Sequence, residues 1–165
     1  MYVGDVSQKL EFEGLLARNR GRLTAISRAY ARGDADDLLQ AILLQIWRGM
    51  GSFTKRSSID TWCYRVALNT AISWQRSSWR RNRHLPTESA ELDHLPGIAD
   101  GRDETALLEQ LLRTLSEADR ALVLMYLEDM SGGEMADVLG ISPEAVRVRI
   151  HRLKRRLAAW KAGDS

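Results

Sequence analysis

Apolar residues recur along this chain at the three- and four-residue spacing that is typical of α-helices. One run of such positions comprises Leu38, Leu39, Ile42, Leu43, Ile46 and Trp47, and it follows the acidic stretch DADD. No segment shows the sustained alternation of apolar and polar residues that a half-buried strand requires. The pattern therefore predicts an all-α protein.

The first half of the chain divides into three helical segments. The first covers 10–30, and Gly21 is expected to break it, giving one broken helix or two short ones. The DADD stretch begins the second, and a glycine- and serine-rich loop follows at 49–58. The third helix is predicted over 58–80.

The amino-acid composition changes after residue 82 and the helical periodicity is lost, which predicts a boundary between two small helical domains. Residues 83–104 contain two of the three prolines, six carboxylates and no sustained periodicity. This composition is typical of a flexible acidic linker, although an ordered surface loop is the alternative. The predicted domains are then 8–82 and 105–161.

The second half carries clear signals for helix ends. Ser116 and Ser131 each stand three residues before a carboxylate, as in a capping box, and Gly140 is placed to end a short helix. Ser142 and Pro143 then occupy the favoured positions for starting a longer helix. A short helix, a glycine-containing turn and a long basic helix form a helix-turn-helix pattern.

The last helix has the distribution of residues that a DNA recognition helix needs. Its apolar stripe consists of Val146, Ile150, Leu153 and Leu157. The opposite face carries Glu144, Arg147, Val148, His151 and Arg155, flanked by Arg152 and Lys154. The residues predicted to contact DNA are Ser142, Glu144, Arg147, Val148, His151, Arg152 and Arg155. An arginine can bond bidentately to guanine, and later basic residues can hold phosphates. A solvated basic face on an ordinary helix is the alternative, but the capped helix and glycine turn before it favour DNA binding.

The third helix contains three tryptophans and ends in arginines. A core stripe within ~140° on a helical projection comprises Ile59, Trp62, Cys63, Val66, Ala67, Thr70 and Trp74. The other side carries Arg65, Leu68, Asn69, Ile72, Arg76 and Trp79. This mixture suits melted DNA, because arginines neutralise phosphates while apolar and aromatic groups support unstacked bases.

Composition narrows the classes of function. The net charge of the 165 residues is only +2, so nucleic-acid binding must come from clustered charge. A single cysteine, with neither a signal peptide nor a spanning apolar run, predicts a cytoplasmic protein with no membrane insertion. The histidines and the cysteine have no metal-ligand spacing, and there is no glycine-rich phosphate loop. We therefore expect no metal, no cofactor and no enzymatic activity.

Three stretches resemble the group IV, or extracytoplasmic-function (ECF), sigma factors of bacterial RNA polymerase. LSEADRALVLMYLEDMSGGEMADVLGISPEAVRVRIHRLKRRL is similar to their domain 4. GDADDLLQAILLQIWRGMGSF and IDTWCYRVALNTAISWQR are similar to their domain 2. The resemblance covers roughly 10–81 and 105–160.

The resemblance implies that domain 4 binds the minus-35 promoter element and that domain 2 binds and melts the minus-10 element. It also implies that the loop at 52–58 forms a pocket for a flipped base. The implied minus-10 contacts are Lys55, Arg56, Arg65, Asn69, Arg76, Trp79, Arg80 and Arg81. The implied contacts with core polymerase are Asp36, Asp37, Leu38 and Gln40.

The expected partners are core RNA polymerase, promoter DNA and an anti-sigma factor. Departures from the family pattern at Glu144, Ala145, Val148 and 132–133 leave the base preference open. Two alternatives also remain at this point. One is a DNA-binding regulator that does not join polymerase, and the other is a sigma-like decoy that sequesters an anti-sigma factor.

Overall fold

The computed structural model describes residues 3–31, 33–82, 108 and 111–161, and no β-strand occurs among them. The helices are α1 (Val3–Tyr30), α2 (Ala35–Gly49), α3 (Ile59–Asn82), α4 (Glu117–Leu127), α5 (Gly132–Leu139) and α6 (Pro143–Lys161), with a 3₁₀ turn at Met50–Ser52. The predicted all-α, two-domain architecture is confirmed. Residues 83–104, where the sequence predicts a flexible linker, lie outside the described part of the chain.

Helix α1 is continuous, so the predicted break at Gly21 is wrong. A glycine within a helix costs about 1 kcal/mol relative to alanine. Here Leu15 precedes Gly21 and Leu23 and Ile26 follow it, and all three are almost completely buried. Burying each such side chain contributes about 1.5–3 kcal/mol, which outweighs the cost of the glycine.

The first domain is a bundle in which α1, α2 and α3 all pack against one another. Ser58 begins α3 by accepting a hydrogen bond from the Thr61 backbone N–H at 3.0 Å. Leu38, Ile42 and Ile46 form the fully buried stripe of α2. These residues are therefore buried at the helical spacing that the sequence pattern predicts.

The helix ends of the second domain follow the predicted caps. Ser131 and Glu134 form a complete capping box, and hydrogen bonds from Ser131 hold the pKa of Glu134 below its ordinary value. Gly140 ends α5 in the left-handed conformation at φ 65°, and the Ser142 hydroxyl accepts from the Ala145 N–H at 3.1 Å. Ser116 also caps its helix, accepting from the Asp119 N–H.

The two domains pack against each other within the described residues. Helix α1 contacts α4, and α3 contacts α5. Buried apolar residues from both domains form one contiguous cluster. None of the described helices combines the length and apolar character that crossing a membrane would require.

Candidate nucleic-acid and protein interfaces

Helix α6 separates into a buried stripe and an exposed basic face. Val146 and Leu153 are 1% and 5% exposed, and Ile150 and Leu157 are half-buried against the same core. This confirms the predicted apolar stripe. The opposite face is therefore available to a partner.

Every residue that the sequence predicts for minus-35 contacts lies exposed on this helix or at its start. They are Ser142, Glu144, Arg147, Val148, His151, Arg152 and Arg155. Val148 is 57% exposed, which leaves an apolar side chain among arginines. Such a face can offer bidentate donors to guanine and an apolar contact to a thymine methyl. The contact with DNA remains a prediction.

Two other basic residues of α6 contact α4 and hold the helix in place. Arg156 Nη1 donates to Asp119 Oδ2 at 2.8 Å. Lys154 Nζ lies 4.6 Å from the ring centroid of Tyr126, a cation–π contact. Lys154 and Arg156 are exposed like the predicted DNA contacts but pair with α4, and the charge pattern of the sequence alone does not distinguish the two groups.

Helix α3 is buried on more sides than its sequence pattern predicts. Leu68, which the projection assigns to the DNA face, is 1% exposed, so that assignment is wrong. Ile72 is half-buried against the core. The reason is that α3 packs on α1 and α2 and also contacts α5 of the second domain.

The polar residues predicted for minus-10 contacts are exposed where the structure describes their side chains. These residues are Lys55, Arg56, Arg65, Asn69, Arg76 and Arg80. The side chains of Trp79 and Arg81 lie outside the described part. Lys55 adopts a positive φ of 57° in the loop before α3, which is uncommon for a residue other than glycine.

The sequence assigns Trp62 and Trp74 of α3 to the core, but only Trp62 is buried. Trp62 is 9% exposed and its ring lies 5.4 Å from that of Phe53, so its predicted place in the core is confirmed. Trp74 is only half-buried, at the edge of the core. Together with Asn69 it lines an open depression of about 470 Å³ between α2 and α3. The sequence pattern missed this depression, because it forms only when the two helices pack.

Three of the four residues implied for polymerase binding are exposed at the start of α2. Asp36, Asp37 and Gln40 face solvent, but Leu38 has no exposed surface. Leu38 therefore supports this face from inside the core instead of contacting a partner. Leu44 is 45% exposed, lies one helical turn after Gln40 and extends the same face. Sequence reasoning missed Leu44, although its four-residue spacing from Gln40 was a usable signal.

The described residues contain no cluster of histidine, cysteine and carboxylate side chains able to hold a metal ion. Burial raises the pKa of the Cys63 thiol to about 12, so it stays protonated at neutral pH. A protonated, fully buried thiol is a poor nucleophile. Cys63 therefore acts as a small apolar residue of the core.

These surfaces belong to a protein with a helix-turn-helix domain and a second helical domain. Helix α2 of that second domain carries an acidic and partly apolar face. Comparison with known families agrees. The model of Sigma-70 region 2 matches residues 15–81, and that of Sigma-70 region 4 matches residues 105–157.

Curated relatives and solved structures extend the match to nearly the whole chain. The ECF RNA polymerase sigma factor SigM of Mycobacterium tuberculosis is 31% identical over 89% of this chain and 75% of its own. The RNA polymerase sigma-E factor of Streptomyces coelicolor is 28% identical over 92% and 86%.

Two solved complexes share the fold. CnrH, solved with the cytosolic domain of CnrY, matches at a TM-score of 0.67 with 23% identity over 95% of this chain and 91% of its own. The sigma factor RpoE, solved with the anti-sigma factor NepR from Bartonella quintana, matches at 0.67 with 21% identity over 100% of both chains. The chain belongs to the ECF sigma factors of RNA polymerase. Proteins of this family are DNA-binding initiation factors that direct transcription.

Proposed function

We propose that this chain binds core RNA polymerase, recognises a minus-35 element through α6 and recognises and melts a minus-10 element through α3. The observation that carries the proposal is the face of α6. All seven predicted contact residues are exposed there, opposite a buried stripe, within a helix-turn-helix whose three caps are formed. Residues near the start of such a helix reach base edges, and later ones hold phosphates.

Support for the minus-10 role comes from the exposed polar residues on α3 and in the loop before it. Arg65, Asn69 and Arg80 lie on the solvent side of the helix, and Lys55 and Arg56 lie in the loop. Opening a base pair and extruding a base costs a few kcal/mol, so the surface must return that energy through phosphate contacts and hydrogen bonds.

Support for polymerase binding comes from the exposed face of α2. Asp36, Asp37 and Gln40 provide charge and hydrogen bonding, and Leu44 adds an exposed apolar group. An apolar anchor within a polar rim is the usual arrangement of a protein interface. We assign this face to the core enzyme.

An anti-sigma factor is the proposed regulatory partner. One solved neighbour with the same fold, RpoE from Bartonella quintana, was solved with the anti-sigma factor NepR. We propose that this chain works in the cytoplasm with a partner of the same kind and has no catalytic activity of its own.

The proposal is tested by run-off transcription with purified core polymerase on a promoter library. We expect promoter-specific transcripts from the native chain, weakened by Arg155→Ala. Arg156→Ala is the matched control, because it removes the same charge from the next position but from a side chain that contacts Asp119. Removing one phosphate contact lowers the salt slope of promoter binding by about one, and only Arg155→Ala should show this.

Two other outcomes of these experiments would each indicate a different function. DNA binding without polymerase binding would make the chain a regulator of another kind. Capture of an anti-sigma factor without transcription would make it a decoy. Either result would refute the proposal.

A further inference from the structure

A single buried arginine lies where the two domains meet. Arg120, on α4, is only 4% exposed. Its Nη1 donates to the Ala29 carbonyl at 3.3 Å and to Gln75 Oε1 at 3.1 Å, both in the first domain. Within its own domain, Nε donates to the Leu112 carbonyl at 2.7 Å and Nη2 to the Leu115 carbonyl at 3.1 Å. A buried charge is strongly unfavourable unless it is hydrogen-bonded, so acceptors from both domains stabilise this one.

Further polar contacts surround Arg120. Its guanidinium carbon lies 4.8 Å from the ring centroid of Tyr30, and the Tyr30 hydroxyl donates to the Glu117 carbonyl at 2.7 Å. Arg22 Nε also pairs with Glu128 Oε2 at 3.1 Å. Directional polar interactions therefore add to the apolar contact that joins the domains.

The same contact is imperfect. The Tyr64 hydroxyl is buried and has no hydrogen-bond partner among the described residues, although Arg22 and Glu128 are close enough to affect its pKa. An apolar cavity of about 150 Å³ lies between α1 and α4, lined in part by Ala29 and Leu124. A buried hydroxyl without a protein partner and an apolar gap between packed helices both lower the stability of the docked state. Water would hydrate the hydroxyl if the domains separated, which favours reversible docking.

Docking also occupies one of the residues predicted to contact minus-10 DNA. Arg76, on α3, pairs with the Glu117 carboxylate of α4. Its Nη2 lies 2.7 Å from Oε2, and its Nε lies 3.2 and 3.3 Å from the two carboxylate oxygens. A phosphate would take the same bidentate geometry on a guanidinium. Arg76 therefore cannot hold Glu117 and a DNA phosphate in this way at once.

We propose that the docked arrangement is an autoinhibited state of the free chain, in which Glu117 takes the place of a minus-10 phosphate on Arg76 and Arg120 joins the domains. Binding of polymerase or DNA releases Arg76 by separating the domains. This inference rests on the proposed function, because it assigns a DNA contact to Arg76. If docked chains outnumber open ones by a factor K, the apparent affinity of the free chain for DNA falls by the factor 1 + K.

The test measures domain separation in the full chain. Fluorophores attached at Glu13→Cys and Asp137→Cys, which are exposed positions in different domains, report separation by energy transfer. The buried thiol of Cys63 should remain unlabelled because its pKa is about 12. The variants are Gln75→Leu, which removes an acceptor of Arg120, and Glu117→Gln, which removes the carboxylate on Arg76. The matched control is Asp119→Asn, which removes one negative charge from the same helical turn but breaks only the contact with Arg156 inside the second domain.

We expect Gln75→Leu to lower energy transfer strongly, Glu117→Gln to lower it less, and Asp119→Asn to leave it unchanged. A partly exposed ion pair supports a change of about two- to fivefold in the docked-to-open ratio, and the loss of one acceptor of a buried guanidinium supports about tenfold. Circular dichroism confirms that each variant folds.

DNA binding by the isolated chain gives an independent measure. With a random-sequence single-stranded oligonucleotide as the probe, the gain in affinity of Gln75→Leu should match its gain in open fraction. In an Arg76→Ala background, Glu117→Gln should raise affinity no more than Asp119→Asn does. Unchanged energy transfer in both interface variants, or opening without a gain in affinity, would overturn the inference.

Run-off transcription by the native chain separates this inference from the proposed function. Normal transcription together with variants that do not open would refute the autoinhibited state alone. Variants that open as expected, together with a native chain that does not bind polymerase, would refute the proposed function alone.

Discussion

At the scale of single residues, three arginines of this chain illustrate three different environments. Arg155 is exposed on the predicted DNA face of α6, Arg156 contacts Asp119 on α4, and Arg120 is buried between the domains. The guanidinium group is suited to each environment, because its five donors can bond phosphate, carboxylate or several carbonyls. A basic residue in the sequence therefore acquires its role from the helix that packs beside it.

The exposed leucines allow a prediction at this scale. Leu44→Ser should weaken binding to core polymerase by about tenfold, because truncating an apolar anchor in an interface costs more than about 1 kcal/mol. Folding stability should change little, since Leu44 is already 45% exposed. Surface plasmon resonance with immobilised core enzyme gives the affinity.

Leu10→Ser is the control for the loss of an exposed apolar side chain, because Leu10 is 64% exposed and lies on α1 instead of α2. If both substitutions lowered the affinity for core polymerase equally, the cause would be the loss of any exposed apolar side chain. The assignment of Leu44 to the polymerase interface would then be wrong.

At the scale of helices, local signals placed the ends well but failed within α1 and α3. Side-chain caps at Ser116, Ser131 and Ser142 act within three residues, so sequence spacing alone predicts them. The continuity of α1 across Gly21 depends on burial before and after it. The burial of Leu68 on α3 depends on packing that includes a helix of the other domain.

Two glycines give a paired prediction for the helices. Gly21→Ala should raise the free energy of unfolding by about 0.5–1 kcal/mol, because alanine is the better helix former and an added Cβ meets nothing within 4 Å. Gly140→Ala should lower it by about 1–2 kcal/mol, because the left-handed φ of 65° crowds a Cβ.

Urea denaturation followed by circular dichroism measures both changes. Destabilisation by Gly21→Ala would mean that this position is a kink or a contact site and that α1 is not one regular helix in solution.

At the scale of the whole molecule, the contact between domains combines interactions of different sensitivity to salt. The Arg76–Glu117 and Arg22–Glu128 pairs have partly exposed side chains, so ions screen them. The hydrogen bonds of Arg120 are buried and are screened much less. Arg120 should therefore hold the domains together at salt concentrations that weaken the outer pairs.

Ionic strength provides the corresponding measurement. The radius of gyration of the native chain, from small-angle X-ray scattering, should change little between low and high salt. Gln75→Leu should expand more than the native chain as salt rises, because Arg120 then keeps fewer acceptors in the first domain and the screened pairs make up a larger share of the contact. Full expansion of the native chain in high salt would show that the outer pairs, and not Arg120, maintain docking.

The sequence by itself determined the all-α architecture, the helix caps, the apolar stripe of α6 and the resemblance to ECF sigma factors. Those features arise from contacts within a few residues or from motifs that lie contiguous in the chain. Only the tertiary structure showed that Leu68 is buried, that Trp74 is only half-buried, and that Arg76 pairs with Glu117. Each of these depends on how helices distant in sequence pack, and helical periodicity cannot say how many sides of a helix are covered.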